Sequence, residues 1–257
     1  MIHKTNFKIV ATALGMALLA LTPQAHAAEF SAPQKSEIEK IVRDYIVSHP
    51  EILQEAMAEL EKRQAAGDAE KHKAAVKSNA QAIFSSPRQV NLGNPQGDVT
   101  FVEFFDYNCG YCKRAMMDMF ALMKEDPKLK VVLKEFPVLG PGSVEAAQVG
   151  IAVNMQDKTG KKYQQFHEKL MGGRGQATKA TALAVAKDIG MDMARIEKDL
   201  AGPEVKATLQ ESFKLAEQLG MNGTPSYVIG DSVVVGAVGL DALREKVNMT
   251  RCGKPTC

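Results

Sequence analysis

Phe101-Val-Glu-Phe-Phe-Asp-Tyr-Asn-Cys109-Gly-Tyr-Cys112 is the stretch on which the rest of the chain turns. An apolar, aromatic-rich run ends in two cysteines separated by two residues. Lys113-Arg-Ala-Met-Met-Asp-Met-Phe-Ala-Leu-Met123 follows without a break in helical pattern. The reading is therefore a strand that delivers a cysteine pair to the N-terminus of a helix. In that position the leading thiol lies beside unpaired backbone N–H groups at the positive end of the helix dipole, which favours thiolate. Helix N-termini and Cys-x-x-Cys spacing lower a free-cysteine pKa from about 8.5 to roughly 3.5–7.5. Cys109 is the expected nucleophile, and Cys112 the thiol that resolves a mixed disulfide. A structural bridge and half of a metal site are the competing readings. The only other cysteines, Cys252 and Cys257, lie far along the chain.

The segment from Glu103 to Cys112 resembles the active site of the DsbA family of bacterial thiol–disulfide oxidoreductases. Gly223-Thr224-Pro225-Ser-Tyr-Val-Ile-Gly230 is similar to that family's second mark, a cis-proline loop facing the cysteines. The resemblance covers about residues 86–250. It implies an α/β, thioredoxin-like fold with an inserted helical subdomain, and thiol–disulfide exchange by the protein's own dithiol with no cofactor. It further implies that Thr224 and Pro225 hold a substrate strand, with Gly110 and Tyr111 bordering it, and that Glu103 is a buried acid relaying the Cys112 proton. A partly solvated acid is the other reading of Glu103. Tyr111 departs from the strongest oxidants of the family, which carry histidine there.

Outward from this centre, Lys4 and Lys8, the apolar run Ile9 to Leu21 and Ala25-His26-Ala27 form an export signal over residues 1–27. The run is shorter than the ~20 residues a bilayer span needs. A periplasmic, cleaved product is expected. It holds 257 − 27 = 230 residues, and the loss of two lysines leaves 32 − 2 = 30 basic against 30 acidic side chains. Such a balance offers no field to attract nucleic acid.

Residues 28–85 read as a helical extension. Ser36-x-x-Glu39 suggests a capping box, and Ile38, Ile41, Val42, Tyr45 and Ile46 recur at helical steps. Pro50 restarts the pattern, which Ile52, Leu53, Ala56, Met57 and Leu60 continue. Two apolar stripes need a partner surface; a homo-dimer or homo-trimer through 28–85 is expected over simple folding back. Ser85-Ser-Pro87 reads as a linker into the domain at 86–257.

Within that domain Val99–Phe105 and 130–136 read as strands, about 143–220 as four or five helices, and Ser226–Ile229 with Ser232–Val235 as a hairpin. Leu240–Met249 reads as the closing helix. Cys252-Gly-Lys-Pro-Thr-Cys257 is expected to form a structural disulfide, with a second redox centre and a metal clip as the other readings. Met116, Met119 and Met123 share a helical face and read as core. His49, His72 and His167 show no ligand spacing, and no metal site is assigned.

The function expected is exchange on unfolded or misoxidised exported proteins, in the isomerase or reductase direction, with a membrane-embedded redox partner keeping the dithiol reduced. The extension strengthens this, because the resemblance is greatest to the ScsC-like (suppressor of copper sensitivity C) and Com1-like relatives. A DsbA-type oxidase is the alternative, and a soft-metal (copper) or chaperone-like binding protein the second.

Overall fold

The computed structural model describes residues 30–157 and 159–257; the export signal expected over residues 1–27 lies outside them. Two compact units divide at residues 59 and 60. Helix α1 (Ala32–Ser48) belongs to the first, and helix α2 (Glu51–Ser78) begins in it. Pro50 stands just ahead of the second helix. The start of α1 is set by Ser31, whose N–H donates to Gln34 Oε1 at 2.9 Å. The capping box expected at Ser36 falls inside the helix instead, because an earlier Ser-x-x-Gln reaches the same end of it. Ile38, Ile41, Val42, Tyr45, Leu53 and Met57 are all exposed. Among the described residues no helix is long and apolar enough to cross a membrane.

The second unit is built on a five-stranded sheet in the order β1-β3-β2-β4-β5. These are β1 (Val90–Gly93), β2 (Val99–Phe105), β3 (Leu129–Glu135), β4 (Ser226–Ile229) and β5 (Ser232–Val235). β2 and β3 run parallel, and the other pairings are antiparallel. Helix α4 (Gly110–Glu125) makes the crossover between the two parallel strands, which an antiparallel turn could not do. Between β3 and β4 lie α5 (Pro141–Gln156), α6 (Lys161–Gly172), α7 (Lys179–Asp188), α8 (Met193–Leu200) and α9 (Pro203–Gln218). They are the inserted helices that the glycine and proline breaks foretell. Helix α10 (Leu240–Cys252) ends three residues later than its pattern suggests, closed by Gly253 in the left-handed region at φ 74°.

Alternation along β2 sends its side chains to two cores. Phe101 and Phe105 pack with Met116, Met119, Leu243 and Val247 on one face. Val102 and Phe104 pack with Val76, Ile83, Leu215 and Leu219 on the other. Ile83 has no exposed surface, a burial that stabilises by about 2 kcal/mol. It sits in helix α3 (Ala80–Phe84), ahead of the expected linker. That linker is itself anchored: Ser86 is buried, and Lys130 Nζ and Gln89 Nε2 donate to the Phe84 carbonyl at 3.1 and 3.0 Å. Strand β1 was not expected at all. It has only four residues, and its end is fixed by contact rather than by pattern. Gly93 turns at φ 68°, where a Cβ would stand 2.6 Å from the Leu129 carbonyl oxygen.

Candidate functional site

Cys109 caps helix α4. Its backbone is extended, and its sulfur accepts from the Cys112 N–H at 3.3 Å. The approach is held by Asp106, a buried acid whose carboxylate accepts from the Asn108, Val138 and Leu139 N–H groups at 2.7, 2.8 and 2.9 Å. Asn108 then ties the same turn to the inserted helices, donating to Ser143 Oγ and the Ala177 carbonyl and accepting from the Ala177 N–H. Both residues stood in the decisive stretch, but apart from the contact between them their partners lie 32 to 69 positions on, where no local signal marks them.

The Thr224–Pro225 peptide is cis. The loop is closed by Ser226 Oγ donating to the Gly223 carbonyl at 2.7 Å, and by the Gly236 N–H donating to the Pro225 carbonyl at 2.8 Å. This brings the Thr224 carbonyl to 3.2 Å from Cys109 Sγ, 115 positions away in the chain. Gly110 and Tyr111 are exposed beside it, with the Tyr111 ring under the Arg114 guanidinium at 4.7 Å.

Both cysteines are free thiols, and they are unequal. The hydrogen bond from Cys112 holds Cys109 down from 9.0 to about 5, against the opposing effect of burial. That same bond, followed by burial, pushes Cys112 far up. Near neutral pH the pair therefore presents one thiolate and one thiol. Glu103, on β2 below the pair, is only 3 % exposed. Burial, then the charges of Cys109 and Asp118, pushes its carboxyl from 4.5 to about 8. Its Oε2 has no hydrogen-bond partner, and neither does the hydroxyl of Tyr227 on β4.

The remaining sites fall elsewhere. Cys252 and Cys257 are joined in a disulfide. Met116 and Met119 are core residues, while Met117 is 65 % exposed. His167 is buried against Phe105, Tyr107 and Tyr163, and burial drives it down to about 3. Among the described residues no group of three or more His, Cys, Asp or Glu could hold a metal ion. Another buried acid, Glu135, has no mark in the sequence. Its Oε1 accepts from the Tyr107 and Tyr163 hydroxyls at 3.1 and 2.6 Å.

Comparison with known proteins agrees with this fold. A thioredoxin-like oxidoreductase from Silicibacter pomeroyi is 43 % identical, covers 67 % of this chain and 98 % of its own, and superposes with a TM-score of 0.64. A linker-deletion mutant of Proteus mirabilis ScsC is 29 % identical over 89 % of this chain and 100 % of its own, with a TM-score of 0.65. Probable disulfide bond formation protein D of Bacillus cereus is 25 % identical over 60 % of this chain and 76 % of its own length. The chain spans only 24 % of another curated relative, Na(+)/H(+) antiporter NhaA 1 of Salinispora arenicola. Residues 34–66 match the copper resistance protein ScsC N-terminal domain. Residues 100–248, more than half of the sequence and a span that includes Cys109, Cys112, Thr224 and Pro225, match the DsbA-like thioredoxin domain, and the chain belongs to that family.

Proposed function

We propose that this oxidoreductase exchanges disulfides on exported polypeptides, as an isomerase or reductase kept in its dithiol form. The observation that carries the chemistry is the inequality of the two thiols. Cys109 attacks a substrate disulfide as thiolate. Cys112 then attacks the Cys109 sulfur, releasing the substrate, and Glu103 takes the proton that Cys112 must lose. Thr224 and Pro225 hold the substrate strand, with Gly110 and Tyr111 at its edge. Direct strand pairing of this kind draws its affinity from main-chain hydrogen bonds, which suits varied clients.

Direction depends on how far the reduced form is stabilised. A Cys109 near 5 lies between the roughly 3.5 of a strong oxidant and the roughly 7 of a reductant. That value favours neither direction; two features favour the isomerase or reductase: Tyr111 places no positive charge between the cysteines, and the N-terminal segment resembles that of ScsC. A membrane-embedded partner in the periplasm supplies the electrons. Acid quenching of growing cells followed by thiol alkylation tests this. Cys109 and Cys112 are expected reduced; a pair found almost wholly oxidised makes the protein a DsbA-type oxidase.

The exposed stripes of α1 and α2 are occupied by further copies of the same chain, giving a dimer or trimer. Light scattering on the mature protein should show that assembly, and Ile41→Asp with Leu53→Asp should reduce it to monomer. A wild-type monomer refutes the assignment.

A further inference from the structure

Glu103 and Tyr227 stand directly opposite each other in the antiparallel β2–β4 pair. Opposed residues of such a pair point to the same face, with Cβ atoms about 4.5–5.5 Å apart. Both are buried, at 3 % and 1 % exposure, on the side of the sheet that carries Cys109 and Cys112. The Tyr227 ring is fixed against Phe101, with centroids 5.3 Å apart. Yet Glu103 Oε2 and Tyr227 OH each lack a protein partner. An unsatisfied buried polar group costs about 1–3 kcal/mol. A phenylalanine at 227 would pack the same ring without that cost. Buried polar atoms left over by the protein are ordinarily bridged by internal water, which needs two to four polar partners.

We infer that the Tyr227 hydroxyl and the Glu103 carboxyl hold a buried water beside Cys112, making Tyr227 a positioning residue for the proton released in the resolving step. The inference rests on the thiol–disulfide reading and adds a residue to it. In that step the Cys112 S–H gives its proton to the Glu103 carboxylate, and the Cys112 sulfur attacks Cys109. A Cys109–Cys112 bond forms as the bond from Cys109 to the substrate sulfur breaks. The substrate leaves as a thiolate with both electrons of that bond, and the site dithiol has been oxidised as the substrate disulfide was reduced. The proton on Glu103 departs through the water that Tyr227 holds. Helix α4 brings Cys109, Cys112 and the half-exposed Asp118 to face this carboxyl. Strand β3 offers Leu133 across from it. Helix α10, packed on β2 and β4, offers Leu243 and Val247, neither of which titrates. Burial drives the Tyr227 hydroxyl far above its ordinary range, so it serves as neutral donor and acceptor rather than as a charge.

Tyr227→Phe in the full mature chain tests this. The readouts are the pH profile for decay of a Cys109–thionitrobenzoate mixed disulfide and the Glu103 titration, followed by its infrared carbonyl band against a Glu103→Gln blank. Resolution should slow about tenfold below pH 8, a fraction of the roughly 10²–10⁴-fold that a positioned proton transfer contributes, since the acid itself remains. The Glu103 midpoint should rise, while the midpoint for Cys109 alkylation stays where it is. An unmoved Glu103 titration overturns the inference, whether or not the protein exchanges disulfides. Absent exchange in the wild type with a moved titration would instead sink the functional reading and leave the water site standing. Should Tyr227→Phe fail to fold, Glu103→Gln alone must shift the tyrosine C–O band in infrared difference spectra, and an unchanged band refutes the pairing.

Discussion

Two acids on neighbouring strands share almost everything except their partners. Glu103 of β2 and Glu135 of β3 lie on the same face of the sheet, one side-chain step apart, since Glu103 is level with Leu133 and Phe105 with Glu135. Both are buried, and burial pushes each from 4.5 to about 8. Glu135 is held by two tyrosine hydroxyls that also meet each other at 3.0 Å. Glu103 faces two cysteines, and its raised titration owes nothing to a hydrogen bond. A perturbed carboxyl is thus no guide to function by itself. What separates the two is whether the proton has a reacting atom to go to.

Stability should separate them most. At pH 5, where both are protonated in the folded protein, Glu135→Ala removes the acceptor shared by the Tyr107 and Tyr163 hydroxyls, leaves them only each other, and opens a cavity. A loss of about 3 kcal/mol or more is expected by urea unfolding. Glu103→Ala also opens a cavity but removes no protein hydrogen bond at Oε2, so it should cost about 1–2 kcal/mol less than Glu135→Ala. Exchange activity should show the opposite order, surviving in folded Glu135→Ala and failing in Glu103→Ala. Equal stability losses would erase the distinction between a structural knot and a working acid.

The sequence carried one of these acids and not the other for a physical reason. Glu103 precedes the cysteine pair on a single strand, so a fixed offset and the family resemblance locate it. Glu135 lies in the run 130–136, whose reading as an alternating strand gives no sign that its polar residues are buried. Both Lys134 and Glu135 are instead buried, on opposite faces. Lys134 Nζ donates to the Ala82 carbonyl at 2.6 Å, and Glu135 meets Tyr107 and Tyr163. A parallel strand covered on both faces loses the alternation that sequence reading relies on. The inserted helices and the hairpin were legible because glycine and proline mark them locally, and the proline loop because the family resemblance points to it. The clamps at Asp106 and Asn108, strand β1 and the anchored segment at 79–89 depend on contacts with remote chain, which no window of sequence contains.

Linkage gives the subtler test. A carboxyl that titrates near 4.5 unfolded and about 8 folded binds its proton more tightly in the native state. Its contribution is fully present below pH 4.5 and is lost as pH rises through 8. Other groups act in the same range: Cys109 is held down at about 5 and His167 at about 3, and both work in the opposite sense. His167 cancels when a variant is compared with wild type, and so does Cys109 for Glu135→Gln; for Glu103→Gln the charge of Cys109 acts on the replaced carboxyl and is part of the difference measured. The stability of Glu103→Gln relative to wild type should therefore rise by up to about 1.4 kcal/mol per pH unit between 4.5 and 8, then level off. Glu135→Gln should trace a similar curve, since Glu135 also titrates at about 8. Chemical unfolding across pH 4–9 measures both. The pH profile of mixed-disulfide resolution completes the comparison, because only Glu103→Gln should move it. A shift of equal size in Glu135→Gln would mean that the two acids titrate as one network reaching from the tyrosine pair to Cys112.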